Sequence, residues 1–210
     1  MTEPDTFALI AAERLRLADA LDGLGPDEWA APSRCAGWSV HVVAAHLNAP
    51  WSASLPTVLL AVARARSIAG GFDRVARQLA EQHPPAACVA GLRSNADSRF
   101  TPPGFGPQAP LTDVIIHGAD MLVPLGRSVT VAPDALAASL DWLARGRAKG
   151  FVAKGRVDGL VFEAIDLDRQ FGSGTAVVSG SAAVLCDVLC GRTDRADQIT
   201  GGGAAVLLAR

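Results

Sequence analysis

Leu111-Thr112-Asp113-Val114-Ile115-Ile116-His117-Gly118-Ala119-Asp120-Met121-Leu122 decides how the rest of this 210-residue chain is read. Wound on a helix at about 100° per residue, Leu111, Val114, Ile115, Gly118 and Leu122 form one apolar stripe. Asp113, His117 and Asp120, spaced i, i+4 and i+7, form a second and narrower one, bordered by Ile116 and Val123. A helix apolar nearly all round is buried, yet carboxylates are seldom buried unless paired or bound to a metal. Two readings stand at this point: a metal held by the Asp/His stripe, or an amphipathic helix whose outer face carries two acids and a histidine.

Outward from that helix the chain reads as mostly helical. Residues 99–110 hold four prolines and two glycines, a loop leading into the helix, with Pro110 suited to its first turn and Gly126 ending it. A first helix runs to about Asp22, capped by Asp5 or Thr6, with Phe7, Ile10, Leu17, Leu21 and Leu24 inward. Trp29 to Trp38 reads as a loop pinned by its two indole rings. Ser39 caps a second helix, whose Val40, Val43, Ala44 and Leu47 give the i, i+3, i+4, i+7 pattern. His46 stands at the edge of that stripe. His41, five residues earlier, points elsewhere and should face water, so the two cannot chelate one ion. Helices follow over 55–68, over 72–82 with Phe72 inward, over 86–92 and over 133–147.

After Gly150 the pattern changes. Residues 159–164 and 175–178 read as strands, 181–190 as a helix capped by Ser181 and stopped by Gly191, and 203–209 as a last strand. Gly172-Ser173-Gly174 reads as a hairpin turn. Helices first and a small strand-rich unit afterwards give an α+β chain in two parts, residues 1–150 and 151–210.

Composition narrows the function classes. Hydrophobic residues at 50% and charged residues at 19% exclude a disordered chain, and a net charge of −2 gives no reason to expect nucleic acid or an anionic membrane. Seventeen Arg against two Lys suggest a GC-rich bacterial source. Four cysteines without a Cys-x-x-Cys pair, no leader pattern over Met1–Asp5 and no apolar run of about 20 residues predict a cytoplasmic protein with reduced thiols.

His46 from one helix and Asp113 and His117 from another would give two imidazoles and a carboxylate, with coordination positions left open, as catalytic zinc or non-haem iron sites require. Asp120 would be a further ligand or would accept an imidazole N–H. A lone inward histidine is more often a hydrogen-bonded core residue than a ligand. No nucleophile elbow, phosphate loop or dinucleotide glycine pattern occurs. Cys35 has no activating base assigned to it by its neighbours in sequence.

Cys35-Ala36-Gly37-Trp38-Ser39-Val40-His41-Val42-Val43-Ala44-Ala45-His46-Leu47 resembles a Gly-Trp-(Thr/Ser)-Val…His-Leu segment of the mycothiol-dependent maleylpyruvate isomerases, an actinobacterial branch of the DinB-like metalloenzymes. Asp113-Val114-Ile115-Ile116-His117-Gly118-Ala119-Asp120 is similar to that family's Glu-x-x-x-His-Gly-x-Asp segment. Asp166-Leu167-Asp168, Gly172-Ser173-Gly174, Val178-Ser179-Gly180, Gly191-Arg192 and Thr200-Gly201 follow in the family's order.

The resemblance implies an N-terminal DinB-like four-helix bundle, a small C-terminal α/β domain, and a divalent metal, usually zinc, between bundle helices. It places the ligands on His46, Asp113 and His117, with aspartate one methylene shorter than the family's glutamate, and an arginine implicated in catalysis on Arg192. It also implies mycothiol as cosubstrate: the thiol adds to a cis-unsaturated keto acid and leaves after rotation. A mycothiol S-transferase, or a DinB-like metal-binding protein without catalysis, are the alternatives. The expected partners are a small-molecule substrate and a low-molecular-weight thiol, with the chain a monomer or homodimer.

Overall fold

In the computed structural model the backbone is described for residues 3–210 and side chains from residue 6 onward, so most of the amino-terminal stretch read for a leader lies outside the described residues. The chain is α+β and divides into two compact units: Ile10–Phe100 with Asp113–Thr130, and Met1–Leu9, Thr101–Thr112 and Val131–Arg210.

The helical unit draws on α1 (Glu3–Asp22), α2 (Pro26–Ala30), α3 (Val40–Leu47), α4 (Ala49–Ser52), α5 (Leu55–Ala65), α6 (Ile68–Gln82), α7 (Pro85–Ser94) and α8 (Gln108–Leu122). The first helix begins upstream of the expected caps, and Thr6 is buried within it. Serines start three others: Ser39, Ser54 and Ser67 accept from the backbone N–H of Val42, Thr57 and Gly70, each satisfying a donor that a helix N-terminus leaves open. Trp29 lies inside α2 and not in the loop that follows, because Pro26 at its first turn and Glu28, whose carboxylate accepts from Gly25 N at 2.9 Å, cap a short helix there.

Four of these helices close on one another. Leu17 of α1 lies under Gly118 of α8. His117 of α8 faces His46 of α3. Helix α3 packs on α7, and Arg93 of α7 returns to Asp19 and Asp22 of α1 at 2.9 and 3.2 Å. Helix α6 packs on the outside of α3 and pairs with α5. A Cβ on Gly71 would stand 2.4 Å from Val62 Cγ2, so the α5–α6 approach needs glycine there. Val75, Ala76 and Leu79 face inward as expected, but Phe72 is 41% exposed.

The second unit contains α9 (Pro133–Ala144), β1 (Leu160–Ala164), β2 (Arg169–Gly172), β3 (Ala176–Gly180), α10 (Ala182–Leu189), a 3₁₀ turn (Ala196–Gln198) and α11 (Ala204–Leu208). The sheet order is β2-β1-β3. β1 pairs antiparallel with β2, Phe162 opposite Phe171, and parallel with β3, Phe162 opposite Val178. Strand β2 escapes a reading by pattern because only Phe171 of its four residues is buried. The hairpin turn is therefore 165–168, and Gly172-Ser173-Gly174 instead carries the chain from one edge strand to the other. Gly174 passes so close to the start of β1 that a Cβ would lie 2.0 Å from the Gly159 carbonyl carbon.

Residues 203–209, expected as a strand, form helix α11. Thr200 bridges Ser179, and Gly203 N donates to Val177 O at 2.8 Å, so the free edge of β3 is taken before Ala204 is reached. The following Ala-Ala-Val-Leu-Leu then winds as a helix with Leu207 inward and Val206 and Leu208 exposed; a short apolar run does not by itself distinguish strand from helix. Among the described residues no helix is long and apolar enough to cross a membrane.

Candidate metal centre

Two helices and one loop of the helical unit supply the site. Helix α3 carries His46, α8 carries Asp113, His117 and Asp120, and the segment between α2 and α3 carries Cys35 and Trp38. That segment is tied down at both ends. Arg34 N donates to Asp120 O at 3.0 Å. Trp38 Nε1 donates to Asp73 Oδ1 at 2.7 Å, and Arg77 bridges Asp73 and the Gly37 carbonyl at 2.9 Å each.

One donor atom from each of His46, Asp113 and His117 falls within 4.8 Å of the others. His117 Nε2 is 3.5 Å from Asp113 Oδ1. Ligands bonded to zinc at roughly 2.0–2.2 Å in a tetrahedron stand about 3.3–3.6 Å apart, so Asp113 already reaches a ligand's spacing from His117. The other ring nitrogen, Nδ1, lies 3.0 Å from Asp120 Oδ2. Asp120 is fully buried and occupies the acceptor position that orients a metal-ligating imidazole.

The surroundings of His46 are aromatic: its ring centroid is 5.0 Å from that of His117, 5.3 Å from Trp38 and 6.2 Å from Phe72. Its Nδ1 is buried without a hydrogen-bond partner, an unpaired buried polar atom of the kind native proteins seldom keep. Burial pushes the His46 imidazole below its ordinary pKa; Asp113 opposes this and His117 adds to it. A neutral imidazole with an unused nitrogen beside a carboxylate and a second imidazole fits a divalent metal. For His117, burial also pushes downward, but Asp113, Asp120 and Cys35 outweigh it and raise its pKa to about 10.

Two neighbours were not legible as site residues. Cys35 Sγ donates to Asp120 Oδ2 at 3.1 Å and lies 3.6 Å from His117 Nδ1. No sequence signal marks a contact across 82 residues; only the loop's docking creates it. Arg14 is 4% exposed, donates to the carbonyls of Asn95, Ala96 and Ser98 at 2.9–3.1 Å and lies 5.1 Å from the Trp51 ring. Burial lowers its pKa and the charge of Asp113 raises it, so Arg14 is a buried cation within electrostatic reach of the site. His41, expected in water, is instead half-buried: its Nε2 pairs with the His83 carbonyl at 2.8 Å and its ring meets Trp29 edge-on. Arg192 belongs to the other unit. It follows α10, with its backbone N–H on the Asp187 carbonyl and Nη1 donating to the Cys190 carbonyl at 2.7 Å.

Residues 10–99 match the mycothiol maleylpyruvate isomerase N-terminal domain family, a span that includes His46 and ends before Asp113. No curated protein sequence matches the chain. Two crystal structures of the mycothiol-dependent maleylpyruvate isomerase share its fold. One, a histidine-to-alanine mutant, is 19% identical with a TM-score of 0.55; the other is 18% identical with a TM-score of 0.54. Each alignment covers 97% of this chain and 94% of the other. The chain resembles this family in its helical segment by sequence and nearly throughout by fold.

Proposed function

We propose that this chain is a metal- and thiol-dependent enzyme of the maleylpyruvate isomerase type, with mycothiol as the thiol and zinc as the metal. The observation that supports it best is the convergence of His46, Asp113 and His117 donors within 4.8 Å, on residues that resemble the family's ligand segments.

Each side chain has a part to play. Asp120 accepts a hydrogen bond from His117 Nδ1–H, so the proton that a bound metal would displace is the one on Nε2, the nitrogen facing Asp113. Trp38 and Phe72 pack their rings against His46 and fix its orientation. A bound divalent ion would supply Lewis acidity and lower the pKa of the cosubstrate thiol. The thiolate adds to one carbon of the substrate's cis double bond, which becomes a single bond and rotates; the electron pair returns, the carbon–sulfur bond breaks, and the trans isomer leaves with the thiol regenerated. Arg192 is proposed to hold a substrate carboxylate in a two-pronged grip.

The test is to incubate zinc-loaded protein with mycothiol and maleylpyruvate and follow both by mass and absorbance. Formation of fumarylpyruvate with the thiol recovered, and its loss in His117→Ala, supports the reading. A thiol-bearing product would make the chain an S-transferase instead, and no conversion of either kind would end both readings.

A further inference from the structure

We propose a second, alternative metal position on the opposite edge of the His117 ring, formed by Cys35 Sγ, Asp120 Oδ2 and His117 Nδ1, which takes a thiophilic divalent cation. It goes beyond the proposed function and holds whether or not the chain turns over a substrate.

The three donor atoms are 3.0, 3.1 and 3.6 Å apart. A triangle of those sides has its corners about 1.9 Å from its centre, against zinc bonds of roughly 2.0 Å to nitrogen or oxygen and 2.3 Å to sulfur. The triangle thus has nearly the size of one face of a zinc tetrahedron, and a cation just off its plane would meet all three donors after the atoms part by a few tenths of an ångström. The donor set of thiolate, imidazole and carboxylate is one that zinc accepts, and its sulfur favours softer ions over magnesium or calcium. Asp120 is fully buried, and Arg34 N on its own carbonyl, with Ser33 Oγ receiving Cys35 N at 3.1 Å, holds the loop bearing the thiol against α8.

His117 belongs to both donor sets, by different nitrogens. With a cation on Nε2, Nδ1 keeps its proton on Asp120. With a cation on Nδ1, Nε2 carries the proton toward Asp113, 3.5 Å away. Occupying both at once would require removing both ring protons, so the two positions exclude each other. Loading the second releases the Cys35 thiol proton and the His117 Nδ1 proton to solvent, leaves Nε2 protonated, and so withdraws His117 from the set with His46. A thiophilic cation there would dismantle the first centre.

The experiment titrates the purified full chain with cobalt(II), and separately with cadmium, under reducing conditions. The expected result is one bound equivalent with a near-ultraviolet thiolate-to-cobalt charge-transfer band, and a cadmium NMR shift displaced toward sulfur coordination. Cys35→Ser should lose the band, and His46→Ala should keep it. The absence of a thiolate signal in the native chain, a band that survives Cys35→Ser, or a band abolished by His46→Ala would each overturn the proposal. Simultaneous binding of two equivalents would overturn the exclusion. The cadmium measurement uses the native chain alone, so the outcome stands even where Cys35→Ser does not fold.

Discussion

Asp120 Oδ2 lies 3.0 Å from His117 Nδ1, one helical turn away on α8, with its carboxylate closed off from solvent. This contact holds a proton on Nδ1 and so presents Nε2, 3.5 Å from Asp113, as the nitrogen of the proposed centre with His46. Asp120→Asn removes the anion while keeping the shape. Because an amide holds the N–H less firmly and can present its NH₂ group instead, zinc affinity is expected to fall about 10- to 100-fold. Competition against a chromophoric chelator measures it; unchanged affinity would remove Asp120 from any orienting role.

The shorter acid at 113 leads to a second prediction. Asp113 Oδ1 already stands 3.5 Å from His117 Nε2, so the extra methylene of a glutamate is not needed to reach an ion between them. Asp113→Glu should change zinc affinity by less than about tenfold, whereas Asp113→Ala, which removes one of the three proposed ligands, should cost roughly a hundredfold or more. A large gain in Asp113→Glu would show instead that the aspartate falls short.

Buried thiols give a pH dependence. Burial pushes the Cys88 pKa up to about 11 and that of Cys186 well above its ordinary value. Below the unfolded-state pKa of about 8.5 both states carry the thiol proton and stability does not depend on it. Between that pH and about 11 the unfolded chain ionises while the folded one does not, so the unfolded state is favoured and stability falls as pH rises. Denaturant melts from pH 8 to 10.5 should show this decline, and Cys88→Ala should flatten it. The same burial predicts that iodoacetamide labels half-exposed Cys35 before Cys88, Cys186 or Cys190.

What could be read from the sequence was what neighbouring residues determine. The Ser39 and Ser181 caps, the α3 stripe and the shared face of Asp113 and His117 all follow from spacing along one helix, and the structure has them. His46 opposite His117 needed the family resemblance, since no local rule brings two helices together. Features set by docking stayed hidden: Cys35 on Asp120, His41 on the His83 carbonyl, and the edge pairing by Thr200 and Gly203 that left 204–208 to wind as a helix. Phe72 misled for a related reason. Its spacing matches the inward stripe of α6, but its ring ends beside His46 at the surface.

Two glycines near helix ends look alike in sequence and should respond oppositely to alanine. Gly71 packs against α5 so closely that a Cβ would lie 2.4 Å from Val62 Cγ2 and 2.7 Å from Val62 Cα. The second of these is backbone and cannot rotate away, so Gly71→Ala must part the two helices. Overpacking of this kind costs about 1–3 kcal/mol, a fall in Tm of roughly 2–12 °C for a chain of this size. Gly23, just past α1, has nothing within 4 Å of an added Cβ and no left-handed φ. Gly23→Ala should therefore be neutral or raise stability by up to about 1 kcal/mol, by restricting the unfolded chain. Thermal melts of the two variants side by side decide it: equal shifts would mean that the α5–α6 approach is looser than Gly71 indicates.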